Sequence, residues 1–418
     1  MHDVVVTAVG IVAPIGVGGD AVWAAIQQGA SGVRPIPCLV DAGHPIPFGG
    51  EVVDFDPKEF VRPRKALKVM SRETQLGFAA AELAWAQAGL EGAGLDPNRI
   101  GVTCGSNMFC PELGELEAGC RASDAGGGRF DFGMWGDVGL REVPPLWLLK
   151  YLPNMAPAHV SIVHDARGPS NSIVAGETSG LLAVIEALDV VSRGHADVMI
   201  AGGASSTLGL MDVIWHGGAR LSRRTSDPAA ASRPFDADRD GWVGAEGAAL
   251  FVLETASHAR ARRARPLARV LGYARRHEPS LELHGTTGKA IEQAIRATLK
   301  MAGAAPADVG HVGAHGMSTE LDDRVEARAI RATLGDVPVT APKSYFGNIG
   351  AGGGALELAV SLLGLQQGMI PPTLNYDTPD PACPVNVVTR AMAVRRPTAL
   401  TISHRTTGQA AAIMIESL

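Results

Sequence analysis

Short apolar runs alternate with longer stretches of helical periodicity along this chain, and that alternation limits the possible fold more than any other feature. Runs such as Arg99–Cys104 and Asp197–Ala201 have the length and apolar character of buried strands. Stretches such as Arg72–Ala88 are long enough to form helices. Because strands that alternate with helices are typical of α/β proteins, we predict that fold class for the whole chain.

The predicted elements extend over most of the 418 residues. Strands are predicted at Asp3–Val9, Arg99–Cys104, Asp197–Ala201, Ala249–Leu253, Leu267–Tyr273, Val309–Ala314, Pro338–Ala341, Ala399–Ser403 and Ala411–Ile415. Helices are predicted at Arg72–Ala88, Thr178–Val191, Thr286–Met301, Arg324–Thr333 and Gly354–Gln367. The helix at Thr178–Val191 is apolar on nearly every side, which indicates burial. The basic stretch Arg260–Pro266 separates two groups of elements, so we predict one unit over residues 1–260 and another over residues 261–418.

Charge and composition argue against several classes of partner. The net charge is −6 and no basic tract is present, so nucleic acid is not expected as a partner. No apolar run approaches the roughly 20 residues that cross a bilayer, and the N-terminus lacks the pattern of a signal peptide. The five cysteines, among them Cys104 and Cys110, are scattered without CxxC spacing. We therefore expect a cytoplasmic protein without a metal site, disulfide framework or membrane contact.

Six sequence blocks occur in an order and spacing that together are specific. They are Val6–Gly16, Arg99–Val102 leading to Gly105–Ser106, Arg233–Val243 followed by Glu246–Ala248, Ala314–Thr319, Pro342–Ser344 with Gly347, and Pro371–Asn375. On these blocks the chain resembles the β-ketoacyl synthases of the thiolase superfamily. The resemblance implies two similar βαβαβαββ halves in an α-β-α-β-α layered arrangement, and a dimer.

The resemblance also implies a chemistry. Active members bind the acyl chain as a thioester on a cysteine at the start of a buried helix, where the helix dipole favours the thiolate. Two histidines then assist decarboxylation of a malonyl thioester. The substrates arrive on the phosphopantetheine arm of an acyl carrier protein, and no metal or other organic cofactor is implied.

Glu177 occupies the position of that cysteine in this chain, within Ser172–Leu181. An acyl carboxylate would be a mixed anhydride, which water cleaves far more readily than a thioester. We therefore expect no ordinary condensation at this residue. Glu177 is either a helix-start carboxylate, a placement favourable by roughly 0.3–1 kcal/mol, or a residue with a chemical or pocket-shaping role.

The remaining positions of the family site are partly retained. His315 matches a catalytic histidine, and Asn348 stands where elongating synthases have the second one. An amide donates a hydrogen bond to an enolate oxygen without titrating, so Glu177, His315 and Asn348 are the predicted catalytic set. Lys343 is predicted near the substrate, in an ion pair with Glu320 or Glu326.

The loop near the C-terminus departs from the family pattern. Members carry a glycine-rich gate of the form GFGG followed by asparagine, whereas this chain reads Ser403–Ala410. Only Gly408 is clearly retained, and Thr406 and Thr407 replace flexible positions. We predict that Thr406, Thr407 and Gly408 contribute to substrate binding.

Two functions are consistent with these departures. The first is a non-condensing subunit that resembles the chain-length factor of type II polyketide systems, pairing with an active ketosynthase paralogue or with itself; Gly168–Val174 resembles the matching run in such factors. The second is a stand-alone decarboxylase of malonyl thioesters on an acyl carrier protein, or another acyl-thioester enzyme that uses Glu177, His315 and Asn348. Glu177 would repel an anionic malonyl group unless burial kept it protonated, which favours the first function.

Overall fold

The computed structural model describes residues 2–107, 111–209, 220–279 and 286–418. The strands of the first half are β1 (Val4–Ala13), β2 (Gly16–Val17), β3 (Val33–Pro35), β4 (Phe48–Gly50), β5 (Ile100–Gly105), β6 (Ser170–Ile173), β7 (Val198–Ser206) and β8 (Glu246–Thr255). Its helices are α1 (Gly19–Gln27), α2 (Pro37–Asp41), α3 (Arg72–Ala88), α4 (Leu113–Ala122), α5 (Phe132–Met134), α6 (Leu140–Glu142), α7 (Met155–Val163), α8 (Ser179–Ser192) and α9 (Ala256–Ala261). Cys110 lies outside the described residues.

The second half repeats this alternation. Its strands are β9 (Ala268–His277), β10 (His311–Gly313), β11 (Pro338–Thr340), β12 (Met369–Ile370), β13 (Asn386–Val387), β14 (Met392–Ala393), β15 (Thr398–His404) and β16 (Gln409–Ser417). Its helices are α10 (Lys289–Ala302), α11 (Glu320–Leu334), α12 (Lys343–Phe346) and α13 (Gly353–Gln366). The predicted α/β class is confirmed, and a strand or helix is found at each predicted position.

Strand order reveals a structural repeat between the two halves. The first half has the order β6-β5-β7-β8-β1, and the second has the order β11-β10-β15-β16-β9. In each half the first two pairings are parallel and the last two are antiparallel. A short pairing of β1 with β9 joins the halves. The predicted pair of similar halves is therefore confirmed, while the domain boundary after residue 260 stays a prediction.

The helices form three layers around these strands. Helix α3 packs on β1 and β8, and α10 packs on β9 and β16. Helices α8 and α13 contact each other and lie between the halves, since α8 packs on β5 and β7 while α13 packs on β15 and β8. This is the expected α-β-α-β-α order. Within the part of the chain that the structure describes, no helix has the length and apolarity needed to cross a membrane.

Small residues let the start of α8 approach its neighbours closely. A Cβ on Gly105 of β5 would lie 2.4 Å from the backbone nitrogen of Gly180. Cβ atoms on Gly180 and Gly203 would lie 2.7 Å and 2.6 Å from the carbonyl oxygen of Ala351. The first turn of α8 is thus held between β5, β7 and the Gly350–Gly352 turn, which fixes the position of the preceding residues Gly176–Thr178.

Among the predicted helices, the largest difference in a boundary is at the start of α11. The sequence predicts a helix at Arg324–Thr333, but α11 begins at Glu320. The Thr319 side chain accepts a hydrogen bond from the Asp322 backbone N–H and so caps the helix earlier. The polar first turn of α11 hides this start from an analysis based on apolar spacing.

Candidate functional site

Glu177 lies in a 3₁₀ turn, Gly176–Thr178, that leads directly into α8. The turn is fixed by its own side chains: Thr178 Oγ1 donates to the Ala175 carbonyl at 2.8 Å, and Ser179 Oγ donates to the Gly176 carbonyl at 2.6 Å. Ser403 Oγ of β15 donates to the Glu177 carbonyl at 3.0 Å. The backbone of Glu177 is therefore anchored to both halves of the molecule.

The Glu177 carboxylate forms an ion pair with Arg405, the residue that follows β15. Arg405 Nε lies 3.2 Å from Glu177 Oε2, and the Glu177 side chain is 20 % exposed. Gly176 has φ +58°, and a Cβ there would lie 2.6 Å from Arg405 Nε. The guanidinium group therefore lies flat against Gly176, in space that only glycine leaves open.

His315 follows β10 and is 1 % exposed. Lys343 Nζ lies 3.0 Å from His315 Nδ1 and donates to the His315 carbonyl oxygen at 2.7 Å. The same Nζ contacts Glu357 Oε1 on α13. The predicted partners of Lys343, Glu320 and Glu326, are therefore wrong, because α13 brings Glu357 to the lysine from behind the site.

Glu326 has a different role. Its carboxylate accepts hydrogen bonds from the backbone N–H groups of His315 at 2.7 Å and Gly316 at 2.8 Å. His404 Nε2 lies 3.7 Å from Glu326 Oε2, and the rings of His315 and His404 meet edge to face with centroids 4.8 Å apart. Glu326 thus fixes the loop that carries His315 and holds a second histidine against it.

Burial and charge set different protonation states for the two histidines. Burial, with the nearby charge of Lys343, lowers the pKa of His315 well below 6.5. Burial also acts to lower the pKa of His404, but the nearby carboxylate of Glu326 outweighs it and raises that pKa. At neutral pH His315 is therefore a neutral imidazole, able to accept or donate a hydrogen bond.

A second buried histidine on β10 gives a stability prediction. His311 is fully buried, both of its ring nitrogens lack a partner among the described residues, and burial lowers its pKa from 6.5 to about 4. Below pH 6.5 the unfolded chain takes up a proton that the folded chain refuses, so stability falls as pH drops towards 4. We expect His311 to lower the free energy of unfolding by about 3 kcal/mol as the pH falls from 6.5 to 4.

The measurement is urea unfolding of the wild type and His311→Leu at several pH values from 7.5 to 4, expressed as the difference between the two proteins. Other titrating groups cancel in that difference. Leucine carries no titrating group, so the free energy of unfolding of the wild type should fall relative to that of the variant as the pH falls. A difference that stays constant over this range would contradict the assigned pKa.

Asn348 forms its hydrogen bonds with neighbouring backbone groups. Its Oδ1 accepts from the Gly350 N–H at 3.0 Å, its N–H donates to the Val243 carbonyl at 2.7 Å, and its carbonyl accepts from the Ala245 N–H at 3.0 Å. These bonds hold the turn that packs against the start of α8. Asn348 does not line the cavity that Glu177 and His315 share.

That shared cavity is very small, about 20 Å³. Its described lining residues are Glu177, Arg220, His315, Met317, Asp322, His404, Arg405 and Thr406. A cavity needs roughly 10–15 Å³ to hold a water molecule, so this one has room for about one. Of the predicted site residues, the structure brings Glu177, His315 and Thr406 together here, while Asn348, Lys343, Thr407 and Gly408 lie outside the lining.

The sequence prediction did not identify four titratable residues at this site: Arg220, Asp322, His404 and Arg405. Arg220 forms an ion pair with Asp322, which is buried. The sequence did give an indication of His404 and Arg405, because these two residues stand where the family pattern has flexible glycines. A cation in that loop and a carboxylate at position 177 are complementary changes.

Comparison with known proteins gives a consistent result. Residues 1–259 match the family model of the β-ketoacyl synthase N-terminal domain, and residues 267–377 match that of the β-ketoacyl synthase C-terminal domain. The chain is 34 % identical over 402 residues to a 3-oxoacyl-[acyl-carrier-protein] synthase 2 of Coxiella burnetii, covering 92 % of this chain and 91 % of the relative. It is 36 % identical over 395 residues to the tetracenomycin polyketide synthase ketoacyl synthase alpha subunit of Streptomyces glaucescens, covering 92 % of this chain and 90 % of the relative.

A similar solved structure is that of the ishigamide ketosynthase/chain length factor. It superimposes with a TM-score of 0.87 at 26 % identity, covering 100 % of this chain and 99 % of the other. The likeness thus extends over the full length of both halves.

Proposed function

The chain belongs to the β-ketoacyl synthase family, and we propose that it is a non-condensing, chain-length-factor-like subunit that pairs with an active ketosynthase of a type II polyketide or fatty-acid-like synthase. One observation carries the proposal. The residue in the position of the family's nucleophile is Glu177, which is ion-paired with Arg405 beside a cavity of about 20 Å³. Neither the side chain nor the space suits a covalently bound acyl group.

The chemistry of Glu177 supports this proposal. A carboxylate that accepted an acyl group would form a mixed anhydride, and its ion pair with Arg405 would be lost in the process. Cys104 offers no substitute, because burial raises the pKa of its thiol to about 12. The growing chain would therefore be attached to a cysteine of the partner subunit.

The alternative of malonyl decarboxylation has less support. Two carboxylates, Glu177 and Asp322, line the same cavity, and Asp322 is buried. Each carboxylate is already paired, with Arg405 and Arg220 respectively, and the cavity of about 20 Å³ has no room for a malonyl group. Release of CO₂ from malonyl carrier protein by the isolated chain, lost in His315→Ala, would nevertheless favour this alternative over the subunit role.

The exposed apolar residues support a large protein partner. Among the described residues, ten of the fourteen exposed large apolar side chains fall between residues 130 and 174, including Phe132, Leu146 and Ile162. Strand β6 lies within this range and is the edge of the first-half sheet. We define the pairing surface as β6 with these side chains. An open strand edge flanked by apolar side chains suits a second subunit with the same fold.

We expect Ile162→Asp to prevent pairing. Ile162 is 76 % exposed, so aspartate costs little in the lone chain, whereas a carboxylate buried in an interface costs several kcal/mol. The test is co-purification of the tagged chain with a co-expressed, cysteine-bearing ketosynthase paralogue from the same genome, with the thermal unfolding midpoint checked for each variant.

Met301→Asp is the matched control. Met301 is 46 % exposed on α10, which packs on the outer side of the second half. The control should pair like the wild type. If Ile162→Asp pairs as well as Met301→Asp does, the proposed pairing surface is wrong; if the wild type itself pairs with no ketosynthase, the proposed function is wrong.

A further inference from the structure

An open cleft lies directly outside the small cavity at Glu177. It has a volume of about 320 Å³ and reaches the surface between the two halves. Its described lining residues are Arg220, Arg239, Asp240, Gly241, Thr319, Glu320, Leu321 and Thr406. Arg220 and Thr406 line both spaces, so these two residues form the wall between the cleft and the cavity.

Arg405 occupies the inner side of this wall. It lines the cavity but not the cleft, and its guanidinium lies between Gly176 and the Glu177 carboxylate. Its backbone is fixed as well, because its N–H donates to the Gln409 carbonyl and its carbonyl accepts from the Gly408 N–H, both at 2.9 Å. The turn after β15 is therefore closed, and the side chain points back over the start of α8.

We propose that Arg405 is the residue that excludes acyl thioesters from His315, a role that deepens the proposed function and rests on it. The guanidinium group is paired with Glu177 and takes up space beside the start of α8, where the cavity retains only about 20 Å³ next to a cleft of about 320 Å³. Glu177 and Arg405 act together, since the carboxylate holds the guanidinium against Gly176 although the Arg405 side chain is 36 % exposed. The chain thus lacks both a nucleophile and a path to where the nucleophile would be.

Chemical modification of His315 measures that path directly. Diethylpyrocarbonate acylates the unprotonated nitrogen of a neutral imidazole. Lys343 contacts His315 Nδ1 in the wild type and is retained in the variant, so a difference in rate between the two proteins reports on access to the His315 ring. The wild type should be modified slowly at His315. Arg405→Ala should be modified roughly tenfold faster or more, which corresponds to about 1.4 kcal/mol less free energy needed to open the cavity. Peptide mass spectrometry gives the rate for each histidine.

Two controls separate opening from unfolding. Arg275→Ala removes a surface ion pair with Asp189 and should leave the rate at His315 unchanged. His311 is fully buried in the same chain, so it should remain unmodified in every folded variant. If His311 is modified in Arg405→Ala too, that variant is partly unfolded. The rate at His315 is then measured in Glu177→Gln, which releases the guanidinium without creating a void.

An unchanged rate at His315 in a folded Arg405→Ala, or in Glu177→Gln where that variant decides, would overturn the role of Arg405. Such a failure would leave the proposed subunit function standing, because pairing is measured separately by co-purification. The opposite result is also informative. If the chain pairs with no ketosynthase but His315 is modified faster in Arg405→Ala, the subunit function is wrong and the role of Arg405 still holds.

Discussion

Replacing Lys343 with methionine is expected to lower the free energy of unfolding by about 3–5 kcal/mol at pH 8. Lys343 is 1 % exposed and contacts three groups at once: the Glu357 carboxylate, the His315 ring and the His315 carbonyl oxygen. Methionine fills a similar volume but donates no hydrogen bond and carries no charge. The variant therefore leaves a buried carboxylate and a buried carbonyl without their donor.

This loss should depend on pH. Burial already raises the pKa of Glu357 to about 7 against the opposing charge of Lys343, and removal of the lysine raises it further. A carboxyl group whose folded pKa lies above its unfolded value destabilises the protein at high pH, and the penalty disappears as the pH falls towards the unfolded value. The deficit of Lys343→Met should therefore be smaller at pH 5.5 than at pH 8 in urea unfolding.

Two further variants serve as controls. Lys343→Met combined with Glu357→Leu removes both charges and should recover most of the lost stability, because an apolar pair replaces a buried ion pair at little cost. Arg275→Ala breaks an exposed ion pair and should cost at most about 1 kcal/mol. A double variant as unstable as Lys343→Met would mean that the pair with Glu357 is not what stabilises this region.

In the reconstituted pair, Glu177→Ala should leave product formation within about twofold of the wild type, whereas replacing the partner's nucleophilic cysteine with alanine should reduce it by on the order of 10⁴-fold or more. The reason is that, in the proposed pair, the partner subunit alone would hold the chain covalently. The measurement is the rate of product release from malonyl carrier protein by equal amounts of each pair.

Glu177 and the partner's nucleophilic cysteine occupy the same structural position in the two subunits, so the effects of substituting them can be compared directly. Glu177→Gln keeps the size of the side chain and should behave like Glu177→Ala in product formation. A loss of a hundredfold or more in both Glu177 variants, with pairing intact, would assign Glu177 a chemical step and contradict a non-condensing role.

Much of the fold follows from apolar periodicity, and the exceptions have clear physical causes. Helix α3 begins and ends where the spacing predicts, because Ser71 caps its start and Gly89 ends it in the left-handed conformation. Strand β6 was not predicted, because Ser170–Ile173 is mostly polar and lies at a sheet edge with one hydrogen-bonded neighbour. Its polarity reflects its position, not a lack of regular structure.

The site was harder to predict than the fold. Sequence blocks identify Glu177 and His315, and the structure brings both to one cavity. They do not identify Glu357 as the partner of Lys343, since that pairing depends on how α13 packs behind the site. Nor do they connect Glu177 with Arg405, residues far apart in sequence whose charges meet only because β15 ends beside the start of α8.

Peptide mass spectrometry of the co-purified pair, quenched during turnover on malonyl carrier protein, tests the subunit role most directly. We predict acyl adducts on the partner's cysteine and none on any residue of this chain. A stable acyl adduct on Glu177, or on any other side chain of this subunit, would contradict the proposed function.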